Sequence, residues 1–597
     1  MTAEERRLRD EAYGRLRIWR DGCREMHERA REARRILLLE DPKQDAGRRG
    51  LDKRTIQLQT LKSTFNNCVA DQMDNMPDAV MLPETRGLEA VAEDLTDVVR
   101  FVMALNNYES LHRRRVEDCF CTGTAVTQVA WDGDMDGGRG NVAVLRWPIE
   151  AFLWDPAAES IQEARAVFKV SWHPMSWFAQ HYPEKAAEIG SDEGEYSGLG
   201  LPDGREPSRP SDEDRAMLLE YWYRLYDARQ RRYTINVAYL AGGAVLSDTR
   251  DVYRHGKYPF VLDVYTPIEG IPVGDGLVQE LAPVMRYVNR YASYIDMNLR
   301  MASKGRLLVN RNAGLDKDAL LDWETDVVEG DRIDTSALQW LQTQPFGTMA
   351  ARQMLQLQTD IKQDSGQNQF TRGETAGGVT AASAISALQE AGGKLTRLRT
   401  SVLNQGYRAI VEQVMWLISQ FYDRRRVLFI TGREAGRARE VNASPERLFG
   451  AAQPGASLPP PPYTVQVQVQ RRNPLRQQAQ NELFLQAYEM SAKAGQAFPL
   501  SMLFELLQVD GKERVLPVIR ANEAMLARLE ALERENEELR AMCGEADALM
   551  TRMREGAARQ QTELEKAVSG QGSDAEGKAE AAAMKEKEDA EDGERMA

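Results

Sequence analysis

Apolar and small side chains recur at intervals of three and four from Ala381 through Ile385, Leu388, Gly392, Leu395, Leu398, Val402, Gly406, Ile410, Val414 and Leu417 to Phe421. This spacing predicts a single helix over 380–422 with one buried stripe and no proline to interrupt it. At about 1.5 Å per residue such a helix is on the order of 60 Å long, beyond the usual globular length. The segment ahead of it, GQNQFTRGETAGG from Gly366, is too polar to bury. Together they read as a strut that holds a loop in place.

The same periodicity predicts a helix over residues 1 to about 40, with Tyr13, Leu16, Trp19, Cys23 and Met26 on its apolar face, and further helices over 55–76 and 88–116. From Ala125 the period changes to that of strands. AVTQVAW and NVAVLRW flank the glycine-rich turn DGDMDGGRG, followed by AFLWDP, ARAVFKVSWHP, a short helix MSWFAQHYP and a polar loop over 191–214. AMLLEYWYRLYD, RRYTINVAYL and GAVLSDTR then continue a β-meander. Two helices, about 277–302 and 348–364, bracket a small insert, and Pro283 is expected to kink or restart the first of them. Within the insert RLLVN reads as a strand, GLDKDALLDW as a short helix and VVEGDRI as a strand or turn. Beyond the long helix, VLFITG and YTVQVQVQ read as strands. Val465, Val467 and Val469 alternate with Gln466, Gln468 and Gln470, as in a sheet with one wet face. Helices follow over 474–494 and 500–507 and again beyond Gly511. Met525, Leu529, Leu532, Asn536, Leu539, Cys543, Ala546, Met550 and Met553 trace a heptad seam, in which a polar Asn536 is a register device for parallel coiled coils. The tail from Ser569 is acidic and poor in large apolar groups, which predicts disorder.

Composition narrows the chemistry. A chain of 597 residues divides into several domains. Its balance of 77 Lys+Arg against 91 Asp+Glu, net −14, argues against a protein whose main task is to grip phosphates. Cys23, Cys68, Cys119, Cys121 and Cys543 are too scattered for a disulfide framework, and without a CxxC or clustered histidines they read as structural thiols of a reducing compartment. No signal-peptide core and no apolar run of about 18 residues is present. EAGGKLT at 390–396 lacks the spacing of a phosphate-binding loop, and neither HExxH nor GxSxG occurs. Asp132, Asp134 and Asp136 lie in the hairpin turn without the glycine and terminal glutamate of a calcium loop. No catalytic residue, metal or cofactor is expected, and the chain reads as a non-enzyme.

The strings WPIEAFLWDPAAESIQEARAVFKVSWHPMSWFAQHYPEK, GKYPFVLDVYTPIEGIPVGDGLVQELAPVMRYVNR and KGRLLVN, with the loop and long helix, resemble the portal protein, or head-tail connector, of tailed bacteriophages and prophages. The resemblance lies in their order along roughly residues 1–520 more than in any single string. It implies an α+β multidomain portal fold, mainly helical, with a β-rich wing, helical stem, small α/β clip, long kinked helix and helical crown. By position the wing is 1–275, the stem helices 276–303 and 346–365, the clip 304–345, the tunnel loop 366–378 and the long wing helix 379–422. Strands returning to the wing cover 423–472 and crown helices 473–520, followed by a coiled coil at 521–566 and a disordered acidic tail at 567–597. The resemblance further implies a dodecameric ring at one capsid vertex, assembled in the host cytoplasm and carried in the virion. Double-stranded DNA passes through it without sequence specificity. The implied partners are the terminase large subunit, the head-tail adaptor and the major capsid and scaffolding proteins, with no membrane. Its implied roles are genome packaging, head-tail joining and genome ejection.

Carried over by position, Gln367, Asn368, Gln369, Thr371 and Thr375 are neutral polar groups for transient contact with passing DNA. Arg372, the one cation among them, contacts phosphate or pairs with Glu374 or a neighbouring chain. Asp316, Asp318, Asp322 and Glu324 make the clip acidic, for terminase docking or simple solvation. Gly392 and Gly393 predict a kink. Gly392 and Gly406, on the apolar stripe, suit close approach of a neighbouring subunit. The competing reading is a coiled-coil scaffold or adaptor in particle assembly, recruiting partners through 525–553.

Overall fold

A computed structural model describes residues 1–40, 56–190, 196, 199–201, 214–228, 231–303, 306–316, 318–319, 322, 327, 329–331, 338–341, 348–367, 393–422, 427–431, 438–449, 461–471, 474–493, 499–507 and 512–591. The chain divides into two units. Met1–Thr431 with Ala438–Asn473 forms the first, and the chain from Pro474 belongs to the second.

The first unit opens with α1 (Ala3–Leu37), whose start is fixed by a reciprocal cap between Thr2 and Glu5. Leu16, Trp19 and Cys23 are buried as expected, and Tyr13 and Met26 pack partly buried beside them. Next come α2 (Thr60–Met73) and β1 (Asn75–Pro83). Where the pattern predicts one helix over 88–116, two form, α3 (Glu89–Leu105) and α4 (Tyr108–Thr122). The break falls at Asn107, whose φ of 48° is left-handed, a conformation asparagine adopts at low cost.

The β-rich region consists of β2 (Thr124–Asp132), β3 (Asn141–Trp147), β4 (Phe152–Trp154), β5 (Ala166–Pro174), the short α5 (Met175–His181), β6 (Arg215–Asp227), β7 (Arg232–Ala241), β8 (Ala244–Thr249) and β9 (Phe260–Val264). They form two antiparallel sheets, one of order β3-β2-β9 and one running β4 to β8 in chain order. Their inner faces and α1 share the main apolar core, with Phe152, Phe168, Tyr221 and Phe260 all fully buried.

α6 (Leu277–Ser303) runs on through Pro283 as one helix, so the proline does not restart it. Between it and α7 (Thr348–Asp364), β10 (Arg306–Val309) pairs antiparallel with β11 (Leu338–Leu341). The second strand of this insert therefore lies beyond VVEGDRI, none of whose described residues is in a strand. α6 and α7 pack against one another. After α8 (Lys394–Phe421), β12 (Val427–Thr431) pairs with β13 (Ala438–Asn442), and α9 (Pro445–Phe449) leads to β14 (Tyr463–Arg471), which returns to pair with β1. Gln466 and Gln468 are exposed while Val465 is buried, the predicted wet and dry faces.

The second unit comprises α10 (Pro474–Lys493), α11 (Leu500–Leu506) and α12 (Lys512–Glu591). The backbone N–H of Ser501 donates to Glu523 over 2.9 Å, tying α11 to α12. The heptad side chains stand out in solvent, Met525 70% exposed and Leu529 55%, so this seam has no partner among the described residues of the chain. The tail predicted to be disordered continues α12 to Glu591. Its reason is local, since AEGKAEAAAMKEKEDAE is rich in the strongest helix formers and has no proline.

Candidate functional site

The described chain stops at Gln367 and resumes at Gly393, and Gln367 and the first turns of α8 are both bonded to one stretch of α2. α7 ends in a glycine-capped turn. Gly366 has a φ of +79°, its N–H bonds to Gln363 O over 2.9 Å, and the next N–H, of Gln367, reaches back to Lys362 O over 2.9 Å. This double bond pattern satisfies carbonyls that the helix end would otherwise strand, and it needs the left-handed residue that glycine supplies.

From this turn Gln367 points inward. Its amide donates to Asp71 Oδ2 over 2.7 Å and lies 3.7 Å from Cys68 Sγ, and the residue is buried. The carbonyl of the fully buried Ser365 accepts from Arg399 Nη1 over 2.9 Å. Arg399, on the first turns of α8, also donates to Tyr265 Oη over 3.0 Å, and its guanidinium lies over the rings of Phe120 and Tyr265. On the exit side Thr400 Oγ1 donates to Gln72 Oε1 over 2.9 Å, and Gln72 Nε2 reaches Thr396 O over 3.4 Å. Cys68, Asp71 and Gln72 thus hold both ends of the loop. Burial pushes the Cys68 thiol above its usual range against the pull of Arg399, so it serves as a neutral contact. Burial likewise raises the Asp71 carboxyl, opposed by the bond from Gln367.

Deeper in the first unit, α8 is locked by a buried ion pair. Arg115 and Asp263, both fully buried, form a two-pronged bridge. Arg115 also donates to Tyr108 Oη over 2.6 Å and to the Leu403 carbonyl over 2.7 Å. Asp263 is further held against α8 at Gly406, where a Cβ would overlap its carboxylate and lie 2.6 Å from Arg115 Nη2. The close approach that Gly406 permits is therefore to this chain's own ion pair, which corrects the expectation of a neighbouring subunit there. A third tie joins Gln413 Nε2 to the Tyr258 carbonyl over 3.1 Å.

The buried face of α8 follows the predicted stripe from Gly406 through Ile410, Val414 and Leu417. On the first turns it does not. Arg399 and Leu403 face inward, while Leu395 and Leu398 are 41% and 62% exposed. The reason is polar anchoring, for Arg399 satisfies the stranded Ser365 carbonyl, a demand that apolar periodicity does not register. Arg399, Cys68, Asp71 and Tyr265 went unmarked in the sequence pattern. Apolar spacing gave no signal for them, because Leu398 continues the stripe beside Arg399.

Of the predicted channel residues, the structure places Gln367, and it corrects the assignment. Its amide is committed to Asp71 within the chain and is not offered to solvent. Asn368, Gln369, Thr371, Arg372, Thr375 and Gly392 lie outside the described residues, and Gly393 precedes the first turn of α8. In the insert Asp316, Asp318 and Asp322 are exposed, with Asp318 N–H bonded to Asp316 Oδ1 over 3.0 Å; Glu324 lies outside the described residues. No group of three or more potential metal ligands gathers among the described residues. No described helix is long and apolar enough to cross a membrane.

No curated protein matches the chain significantly. The family model of the phage P22-like portal protein matches residues 9–585. The match takes in the β-rich region, the helix pair with its insert, the anchored loop and the long helices together, and by it the chain belongs to the phage P22-like portal protein family.

Proposed function

We infer that the chain, as a member of that family, is a structural component of a phage capsid that assembles from several copies. We propose that twelve copies form a ring at one capsid vertex, through which double-stranded DNA enters during packaging and leaves at ejection. The terminase large subunit and later the head-tail adaptor dock on the 304–345 clip, where Asp316, Asp318, Asp322 and Glu324 supply negative charge. The capsid and scaffolding proteins surround the wing. The observation that carries this reading is the two-ended anchorage on α2. A loop rooted through Gln367 and Arg399 is held in one place, as a channel-facing element repeated around a ring must be.

In this reading Asn368, Gln369, Thr371 and Thr375 give DNA weak, sequence-blind contacts, and Arg372 offers one cation per subunit to phosphate. A net charge of −14 per chain opposes tight capture, so the duplex slides. Negative-stain averaging of the purified protein should show rings with a central channel. Monomers or dimers alone at high concentration refute the proposal. The exposed heptad seam of α12 favours a second reading, a coiled-coil scaffold or adaptor. Truncation after Ala521 separates the two, because the ring survives it and the scaffold does not.

A further inference from the structure

The small sheet formed by β1 and β14 has two edges that differ in kind. Its partners run Asn75 opposite Arg471 to Pro83 opposite Tyr463, and one position further the N–H of Glu84 bonds to Pro462 O over 3.0 Å. Antiparallel pairs alternate between those that exchange hydrogen bonds and those that do not. Counting from Glu84, the pairs Leu82/Thr464, Val80/Gln466, Asp78/Gln468 and Met76/Gln470 face each other. The backbone groups of Tyr463, Val465, Val467 and Val469 then point to the other side of β14, and those of Pro77, Ala79, Met81 and Pro83 to the other side of β1. An independent bond checks this phase, for Met81 N–H turns away from β14 and donates to Thr96 Oγ1 over 3.0 Å.

The outer edge of β1 is therefore poor in free donors, three of its four outward positions offering none. Pro77 and Pro83 have no donor to offer, and that of Met81 is spent on Thr96. β14 carries none of these protections. From Tyr463 to Gln470 it has no proline and no charged residue, the devices by which proteins blunt an exposed strand edge. Among the described residues nothing bonds the outward backbone groups of Val465, Val467 and Val469. They border a groove of about 640 Å³ between β14 and α8. Val467 and Val469 line it half-buried, and Thr400, Asn404 and Arg408 stand opposite.

We propose that β14 receives an extended segment of a neighbouring copy of this chain along that edge, adding a third strand to the β1–β14 sheet across the subunit boundary. The proposal rests on the ring assembly above. A head-to-tail contact needs two different surfaces on one subunit, and a sheet poor in free donors on one side and open on the other supplies that asymmetry. The incoming backbone satisfies the outward groups of Val465, Val467 and Val469. Its alternate side chains cover Val467 and Val469 in the groove.

Amide exchange on the full-length protein, read residue by residue, tests this. In the dissociated chain the β1-facing amides of Thr464, Gln466 and Gln468 are protected and those of Val465, Val467 and Val469 exchange freely. Assembly should slow the second set by about tenfold or more. Val467→Pro removes an outward donor and leaves the β1 pairing intact. It should raise the concentration for half-assembly by roughly fivefold or more, with the Gln466 and Gln468 amides still protected as evidence of folding. Outward amides that exchange equally fast in assembled and dissociated protein overturn the proposal, as does protection that appears only when a different protein is added. If Val467→Pro fails to fold, the wild-type exchange pattern decides alone. A wild-type chain that never assembles overturns the ring itself, a result distinct from an assembled ring with open β14 edges.

Discussion

Gly406→Ala should destabilise the first unit although it improves the helix. In isolation the change favours α8 by about 1 kcal/mol, the usual propensity difference between glycine and alanine in a helix interior. The new methyl, however, must occupy space taken by the Asp263 carboxylate and the Arg115 guanidinium. Both groups are fully buried, so neither can swing into solvent. Displacing one separates a buried ion pair, which costs about 3–5 kcal/mol when a partner is left uncompensated. The net expectation is a loss of about 2–4 kcal/mol, read as a lower urea midpoint by tryptophan fluorescence. Asp263→Ala alone is also destabilising, but in that background the methyl at 406 loses its closest clash and meets only Arg115 Nη2, at 2.6 Å. The penalty for Gly406→Ala should then shrink by at least about 1 kcal/mol, a coupling that a double-mutant cycle measures. A Gly406→Ala chain as stable as wild type, or strict additivity with Asp263→Ala, would refute the steric argument.

Arg399→Met keeps the bulk of the side chain but leaves the buried Ser365 carbonyl only the weak Cys68 thiol, 3.7 Å away, as donor. It should cost about 2 kcal/mol locally, seen as roughly thirtyfold faster amide exchange at Gly366 and Gln367, and unchanged exchange there excludes the anchor. Acid should destabilise the first unit through His27 and His112, which burial holds down to about 4 and about 3. Their folded values lie below the unfolded value near 6.5, so the stability they confer is complete above that pH and drains as pH falls toward 4. Near pH 5 the unfolded chain binds close to two more protons at these sites than the folded one, so stability falls steeply with acid there, and His27→Gln with His112→Gln should flatten that fall. Cys543 is the exposed cysteine and sits in the heptad seam, so mild oxidation should yield a disulfide-linked chain pair on a non-reducing gel if seams meet in parallel register. Cys543→Ser should abolish that band, and a wild type that gives none argues against a parallel seam.

Much of the fold was legible because it rests on local repetition. The alternation of Val465 with Gln466 placed β14 and its wet face, and the stepping from Leu277 to Leu299 placed α6 almost to the residue. β1 was not legible. NMPDAVMLP holds two prolines and earns its strand geometry from β14, nearly four hundred residues later in the chain. The break at Asn107 depends on a backbone angle that apolar spacing does not encode. The anchoring site was the least visible part. Arg115, Asp263 and Gly406 become one feature only when three distant segments meet, and Gln367 reads as a loop residue until Asp71 is found beneath it.

Fastening both ends of the 368–392 segment to a single turn of α2 has an evolutionary consequence. Because the chain on either side of residues 368–392 is set by Gln367, Arg399 and Gln72, the frame does not draw its anchorage from that stretch. Closing a loop between fixed points costs only about 0.6 kcal/mol more for each doubling of its length. Insertions, deletions and wholesale exchange of that stretch should therefore leave α2, α7 and α8 nearly unaffected. Selection can change that stretch, as one swaps a die in a press, without rebuilding the press.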